Sequence, residues 1–195
     1  FNLVITILLM ISMAVKAELT SRMFDVRHVG YAEGLSSQRV FSIVEDGDGA
    51  IWIATKTGID RYNGHAVKNY DLPGNFYYGD LAGRRLYLLY DARQGLFAYD
   101  HTGRIYRYST IHDHFEQVLH LGLLIQEEVI LNKLCLDDDG TWWMGSDKGL
   151  YKQEADNRIV AVLKGQYVND IAFADESLYV GTSNGVWQLS HALPD

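Results

Sequence analysis

The chain has 195 residues, 48% of them hydrophobic and 12% aromatic, and a formal net charge of −8. That is enough apolar material for a sizeable core, and the acidic balance argues against a nucleic-acid surface while leaving a neutral ligand such as a sugar open. The single cysteine, Cys135, excludes an internal disulfide, so cysteine usage does not decide the redox compartment.

Residues 3–15 are almost wholly apolar, and small residues stand at Val15 and Ala17. A cut after Ala17 fits the small-x-small rule of a secretory signal peptide over residues 1–17, and the run is too short for a transmembrane helix. The sequence therefore predicts an exported chain that starts near Glu18. Residues 23–28 are strand-like and precede the first full repeat.

Residues 40–45 alternate and read as a strand. Asp46-Gly47-Asp48-Gly49 has hairpin-turn chemistry, because Asp and Gly tolerate positive φ. A strand over 50–55, a turn at Lys56-Thr57-Gly58, a strand over 59–62, Asn63-Gly64 and a strand over 65–70 follow. Four short antiparallel strands of this kind make one propeller blade. The second blade takes strands over 87–90, 95–99 and 105–108, with residues 76–79 as its first strand. The third joins 130–136, 141–145, 150–153 and 158–163, and the fourth begins at 168–174 and stops after 186–189.

The phrase aromatic strand, turn ending in Gly, second strand thus recurs at residues 50–64, 141–153 and 177–189, with a weaker copy at 85–100. Its turn glycines Gly58, Gly95, Gly149 and Gly185 are separated by 37, 54 and 36 residues. Blades run about 40–50 residues, so the long interval reads as an insertion between residues 110 and 129. The fold class is all-β, a β-propeller with about four blades over residues 18–195, near 36–72, 75–110, 129–165 and 167–195, the last incomplete. A blade cannot bury both faces alone, and propellers close with about 4–8 blades, so the chain reads as the front part of a longer one.

Candidate sites are few. Asp46-Gly47-Asp48-Gly49 and Asp137-Asp138-Asp139-Gly140 look like the start of a calcium loop, but they lack the helices and the twelfth-position Glu and join strands at matching repeat positions, so they read as turns. His112-x-His114 has metal-binding spacing, with Asp113 and His120 nearby; without a cysteine or a strand framework it reads as a solvated loop. Ser36, Ser37 and His28 lie close in sequence with no nucleophile elbow, so no catalytic residue is assigned. Cys135 reads as a buried core thiol, in the register that Val44 holds in the first copy. Tyr77 and Tyr78, within Asn75-Phe76-Tyr77-Tyr78-Gly79, are the ligand-binding candidates, since Tyr rings with flanking amides stack on and hydrogen-bond sugars. The competing reading sends Phe76 and Tyr78 into the core. Residues 119–128 read as a partner or ligand loop whose apolar stretch 121–125 favours packing against another domain.

The run Gly34-Leu35-Ser36-Ser37, Val40-Phe41-Ser42-Ile43, Glu45-Asp46 and Gly49-x-Ile51-Trp52-Ile53-Ala54-Thr55-x-x-Gly58-Ile59-Asp60-Arg61-Tyr62-Asn63-Gly64 resembles the two-component regulator propeller repeat, which is common in periplasmic sensors of hybrid two-component systems of gut Bacteroidetes. The resemblance is strong over 34–64, good over 137–150, fair over 179–186 and weak over 86–99. It implies a periplasmic sensor with seven-bladed rings, a downstream membrane span and a cytoplasmic histidine kinase. Such a sensor works as a homodimer that detects an oligosaccharide or other small ligand and controls polysaccharide-utilisation genes. From the residues themselves no cofactor and no metal site is assigned, and the acidic charge argues against nucleic-acid contact at this domain. The same propeller precedes other outputs such as diguanylate cyclases. A secreted propeller enzyme acting on glycans, or a scaffold propeller without signalling, are the alternatives from other classes.

Overall fold

The computed structural model describes residues 25–74, 85–174 and 177–190. Four antiparallel meanders account for nearly all of its regular structure. The first contains β1 (Val40–Glu45), β2 (Ile51–Thr55), β3 (Ile59–Tyr62) and β4 (Val67–Tyr70). The second contains β5 (Leu86–Asp91), β6 (Gly95–Asp100), β7 (Arg104–Ser109) and β8 (His114–His120), followed by a short helix, α1 (Leu121–Ile125). The third contains β9 (Leu131–Leu136), β10 (Trp142–Ser146), β11 (Gly149–Gln153) and β12 (Ile159–Lys164). The fourth has β13 (Val168–Ala174), β14 (Ser177–Thr182) and β15 (Gly185–Ser190). The first strand of each sheet packs on the first strand of the next, β1 on β5, β5 on β9 and β9 on β13. This is the four-blade arrangement of a β-propeller.

The second blade differs from its sequence reading. It begins at Leu86 and takes its fourth strand from His114–His120, so most of the segment read as an insertion is blade. Gly95 lies between the first and second strands, whereas Gly58, Gly149 and Gly185 lie between the second and third. The true counterpart is Gly103, and the intervals become 45, 46 and 36 residues. The expected first strand over 76–79 and the signal peptide fall outside the described residues.

Alternation along the central strands divides the apolar side chains between successive cores. On β6, Leu96 and Ala98 join the core between the first and second blades, while Phe97 and Tyr99 join the core between the second and third. On β10, Trp142 and Met144 face the second blade and Trp143 the fourth. Period-2 geometry makes this possible, because each strand buries both faces only when sheets stand on both sides. The outward faces of the two end sheets carry exposed apolar groups, with Ile43 60% and Val186 73% accessible.

A three-residue device repeats across the blades. Asp46 at the β1–β2 turn accepts from Asp48 and Ala50 N–H through Oδ1, and its Oδ2 accepts from the Trp52 indole at 2.7 Å. Asp137 does the same with Asp139, Thr141 and Trp143 (2.9 Å). A cation on the third strand covers each ring in register: Arg61 opposite Trp52, Lys152 opposite Trp143 and, in the second blade, Arg107 opposite Phe97. The aspartate thus satisfies turn donors that would otherwise compete with the hairpin, and the indole N–H has a partner where burial demands one.

Blades one and two are latched at their outer strands by Asp113. This residue adopts the left-handed region (φ 54°) in the β7–β8 turn. Its carboxylate accepts from Lys68 Nζ and from the hydroxyls of Tyr70 (2.8 Å) and Tyr108 (2.7 Å). The Lys68 bond, then those of Tyr108 and Tyr70, hold its pKa far below the ordinary 3.8. Since the folded value lies below the unfolded one, the stabilisation is present above about pH 3.8 and is lost as pH falls through the folded value. Asp113→Asn is therefore expected to flatten the acid limb of a urea-midpoint profile measured from roughly pH 5 to pH 2. Parallel profiles for the two proteins would refute the latch.

Candidate functional site

A cleft of about 820 Å³ opens between the second and third blades. It lies where the β6–β7 turn, the β10–β11 turn and the crossover from β8 to β9 meet, and the side chains that give it polarity are His101, His120, Glu127, Glu128, Asp147 and Lys148. The crossover is held rigidly. Asp147 Oδ1 accepts from Ile130 N–H at 2.7 Å, Asp147 N–H donates to Ile130 O, and Leu121 N–H donates to Gly103 O at 2.8 Å. Helix α1 buries Leu121 in the core, packs Ile125 against it and leaves Leu123 71% exposed beside the cleft. The apolar stretch read as a domain contact is thus half spent on its own blade.

His120 Nε2–H donates to Thr102 O at 3.2 Å, and His101 Nδ1 accepts from Arg85 N–H at 3.2 Å. The Thr102 hydroxyl donates to Asp100 at 2.6 Å. The imidazole, carboxylate and ammonium groups of the lining offer hydrogen bonds and charge to a ligand of sugar size.

The other residues singled out in the sequence have structural partners. Ser36 N–H and its hydroxyl both donate to Oδ2 of fully buried Asp60 at 2.9 Å, and Asn69 Nδ2 donates to Oδ1 at 2.7 Å. This ties the entry loop to β3 and β4 and accounts for the Gly34–Ser36 and Asp60 positions of the repeat phrase. Ser37 Oγ accepts from Arg39 N–H. The Asp137–Gly140 turn is no calcium loop: the Arg93 guanidinium takes the Asp137 and Asp138 carbonyls, and Gln94 Nε2 takes the Gly140 carbonyl at 2.8 Å. A cation on the carbonyls excludes another. Cys135 pairs with Trp143 as Val44 pairs with Trp52, and burial pushes its thiol up to about 12, which makes it unreactive.

Tyr77 and Tyr78 lie outside the described residues. Arg85, where the described chain resumes, exchanges hydrogen bonds with His101 at the cleft. Of the cleft residues, His120, Leu123, Glu127 and Glu128 lie in the segment read as a partner or ligand loop, whereas His101, Asp147 and Lys148 escaped the sequence reading. The one signal for the cleft is a cluster of His and acid residues on both sides of an apolar run, and such a cluster does not disclose its own convergence.

Comparison with known proteins decides the class of repeat. Residues 34–57 match the family model of the two-component regulator propeller. That stretch is similar to one two-component regulator propeller repeat. In three dimensions that match covers the entry loop, the Asp46–Trp52 device and the Thr55 turn. Over 87% of its length the chain superposes, at a TM-score of 0.66 and 22% identity, on the extracellular domain described as that of a hybrid two-component system from B. thetaiotaomicron. It spans 24% of that chain, about a quarter of its length. Virginiamycin B lyase from Staphylococcus aureus shares the fold at a TM-score of 0.55 and 15% identity, over 80% of this chain and 57% of that one. These likenesses are of fold. No curated protein matches the chain significantly. Among the described residues no helix is long and apolar enough to cross a membrane.

Proposed function

We propose that the chain is part of the periplasmic ligand-sensing propeller of a hybrid two-component sensor. The observation that carries this reading is the two-component regulator propeller repeat at residues 34–57, set in a propeller whose structural relatives include the extracellular domain of such a system. The ligand is an oligosaccharide, bound at the cleft between blades two and three, and Tyr77 and Tyr78, singled out from the sequence, are proposed as residues that contact it. The size of the cleft, its hydrogen-bonding side chains and the exposed Leu123 support a sugar, and the carboxylates of Glu127, Glu128 and Asp147 disfavour a nucleotide or other strongly anionic metabolite. Occupancy biases one of two arrangements of a dimeric full-length sensor, anchored through a downstream span, and so sets histidine kinase output on polysaccharide-utilisation genes.

Titration calorimetry with a panel of defined oligosaccharides tests the ligand class. One member is expected to bind saturably, and Tyr77→Ala with Tyr78→Ala to weaken it about tenfold, the loss of a stacking contact or two. Absence of binding across the panel would refute the sugar. A reading frame without a membrane span and kinase module downstream would refute the sensor, independently of the ligand.

A further inference from the structure

The β7–β8 hairpin brings together three side chains that the repeat does not use. Strand alternation puts His114 and Glu116 on one face of β8, with buried Phe115 between them on the other. The left-handed Asp113 turns the chain so that His112 reaches back over the same face. The donor atoms of His112, His114 and Glu116 all lie within 4.8 Å of one another. His112 Nδ1 is 3.4 Å and His114 Nε2 3.2 Å from the same carboxylate oxygen, Glu116 Oε1. Donors bound tetrahedrally at about 2.0–2.1 Å stand about 3.3 Å apart, so this spacing is already that of a coordination edge.

A second feature points the same way. His114 Nδ1–H donates to the His112 carbonyl at 3.1 Å. That bond orients the ring so that Nε2 faces the Glu116 carboxylate. Two electron-rich atoms at 3.2 Å repel unless a proton or a cation sits between them. An imidazole whose other nitrogen is bound to a carbonyl is the arrangement by which proteins prepare a metal ligand. The hairpin tip is also fixed in advance, through Asp113, to Lys68 and Tyr70 of the first blade. The three side chains remain half exposed, which leaves coordination positions for water.

We propose that His112, His114 and Glu116 form a binding site for a divalent first-row transition ion of the Zn²⁺ class. Two imidazole nitrogens select such an ion over Ca²⁺ or Mg²⁺, which take oxygen donors. The ion replaces the Ser109 hydroxyl now 3.3 Å from His112 Nδ1 and staples the turn to β8.

The test is calorimetric titration of Zn²⁺ into the whole chain after chelator treatment, beside His114→Ala, Glu116→Gln and a His65→Ala control, each checked by circular dichroism for retained fold. One saturable site is expected, weakened at least about tenfold by each of the first two changes and unaltered by the third. Co²⁺ gives an independent readout, with a visible ligand-field spectrum that both site variants lose. Absence of saturable Zn²⁺ binding, or equal affinity in wild type, His114→Ala and Glu116→Gln, overturns the proposal.

Discussion

Replacing Trp52 by Ala is expected to destabilise the chain by about 3–5 kcal/mol, read as a fall in the urea or guanidinium midpoint. Trp52 is 1% exposed, and it meets Tyr70, Tyr108 and Phe115 at ring-centroid distances of 5.2, 4.7 and 5.9 Å. It therefore fills the junction of the first two blades from the first. Truncation leaves a large cavity between two sheets whose own hydrogen bonding resists collapse. It also strips Asp46 Oδ2 of its indole donor and Arg61 of the ring it covers. Trp52→Phe separates these contributions. The second blade already uses Phe97 at this position under Arg107, so a phenyl ring fits, and the cost falls to about 1–2 kcal/mol for the lost hydrogen bond and part of the volume. Equal losses for the two variants would mean that packing is not what Trp52 supplies.

Gly149→Ala is expected to cost about 3 kcal/mol or more, whereas Gly185→Ala costs about 1–2 kcal/mol. The two glycines occupy the same place in the repeat, between second and third strands. Gly149 has φ 149°, and a Cβ there would lie 2.0 Å from the Leu163 carbonyl oxygen on β12. Gly58 shows the same approach more loosely, at 2.7 Å from the Tyr70 carbonyl oxygen on β4. Gly185 has φ 104° with nothing within 4 Å. Its variant bears only the conformational strain, while Gly149→Ala must also push back a paired fourth strand. Thermal unfolding of the two single variants checks the contrast. Matching losses would show that positive φ alone, without the neighbouring strand, sets the requirement.

The first, third and fourth blades were legible strand by strand, because Asp-Gly and Asn-Gly turns bracket strongly alternating runs there. The second blade was not. Gly95 imitates the turn glycine of the other copies, and the run at residues 86–90 is apolar enough to pass for a central strand. The real central strand is β6, and its β6–β7 turn is built on Asp100, which accepts from Thr102 and Arg104 N–H where Thr55 and Ser146 use a hydroxyl. That exchange of Asp for Ser or Thr hid the correspondence, and with it the strand over 114–120. The reading of His112-x-His114 as a solvated loop does not foresee that His114 opens β8.

By itself the sequence determined the local structure: which residues turn, which alternate, that the unit repeats, and that residues 34–57 are similar to a two-component regulator propeller repeat. These follow from φ preferences and period-2 hydrophobicity, which act between neighbours in the chain. Only the tertiary structure decided which side of each central strand meets which blade, why Asp60 and Gly149 are needed, and that His101, His120 and Asp147 come together at the cleft. Those facts depend on contacts between strands and blades, and on carbonyls and side chains supplied from elsewhere in the chain, which no local pattern encodes.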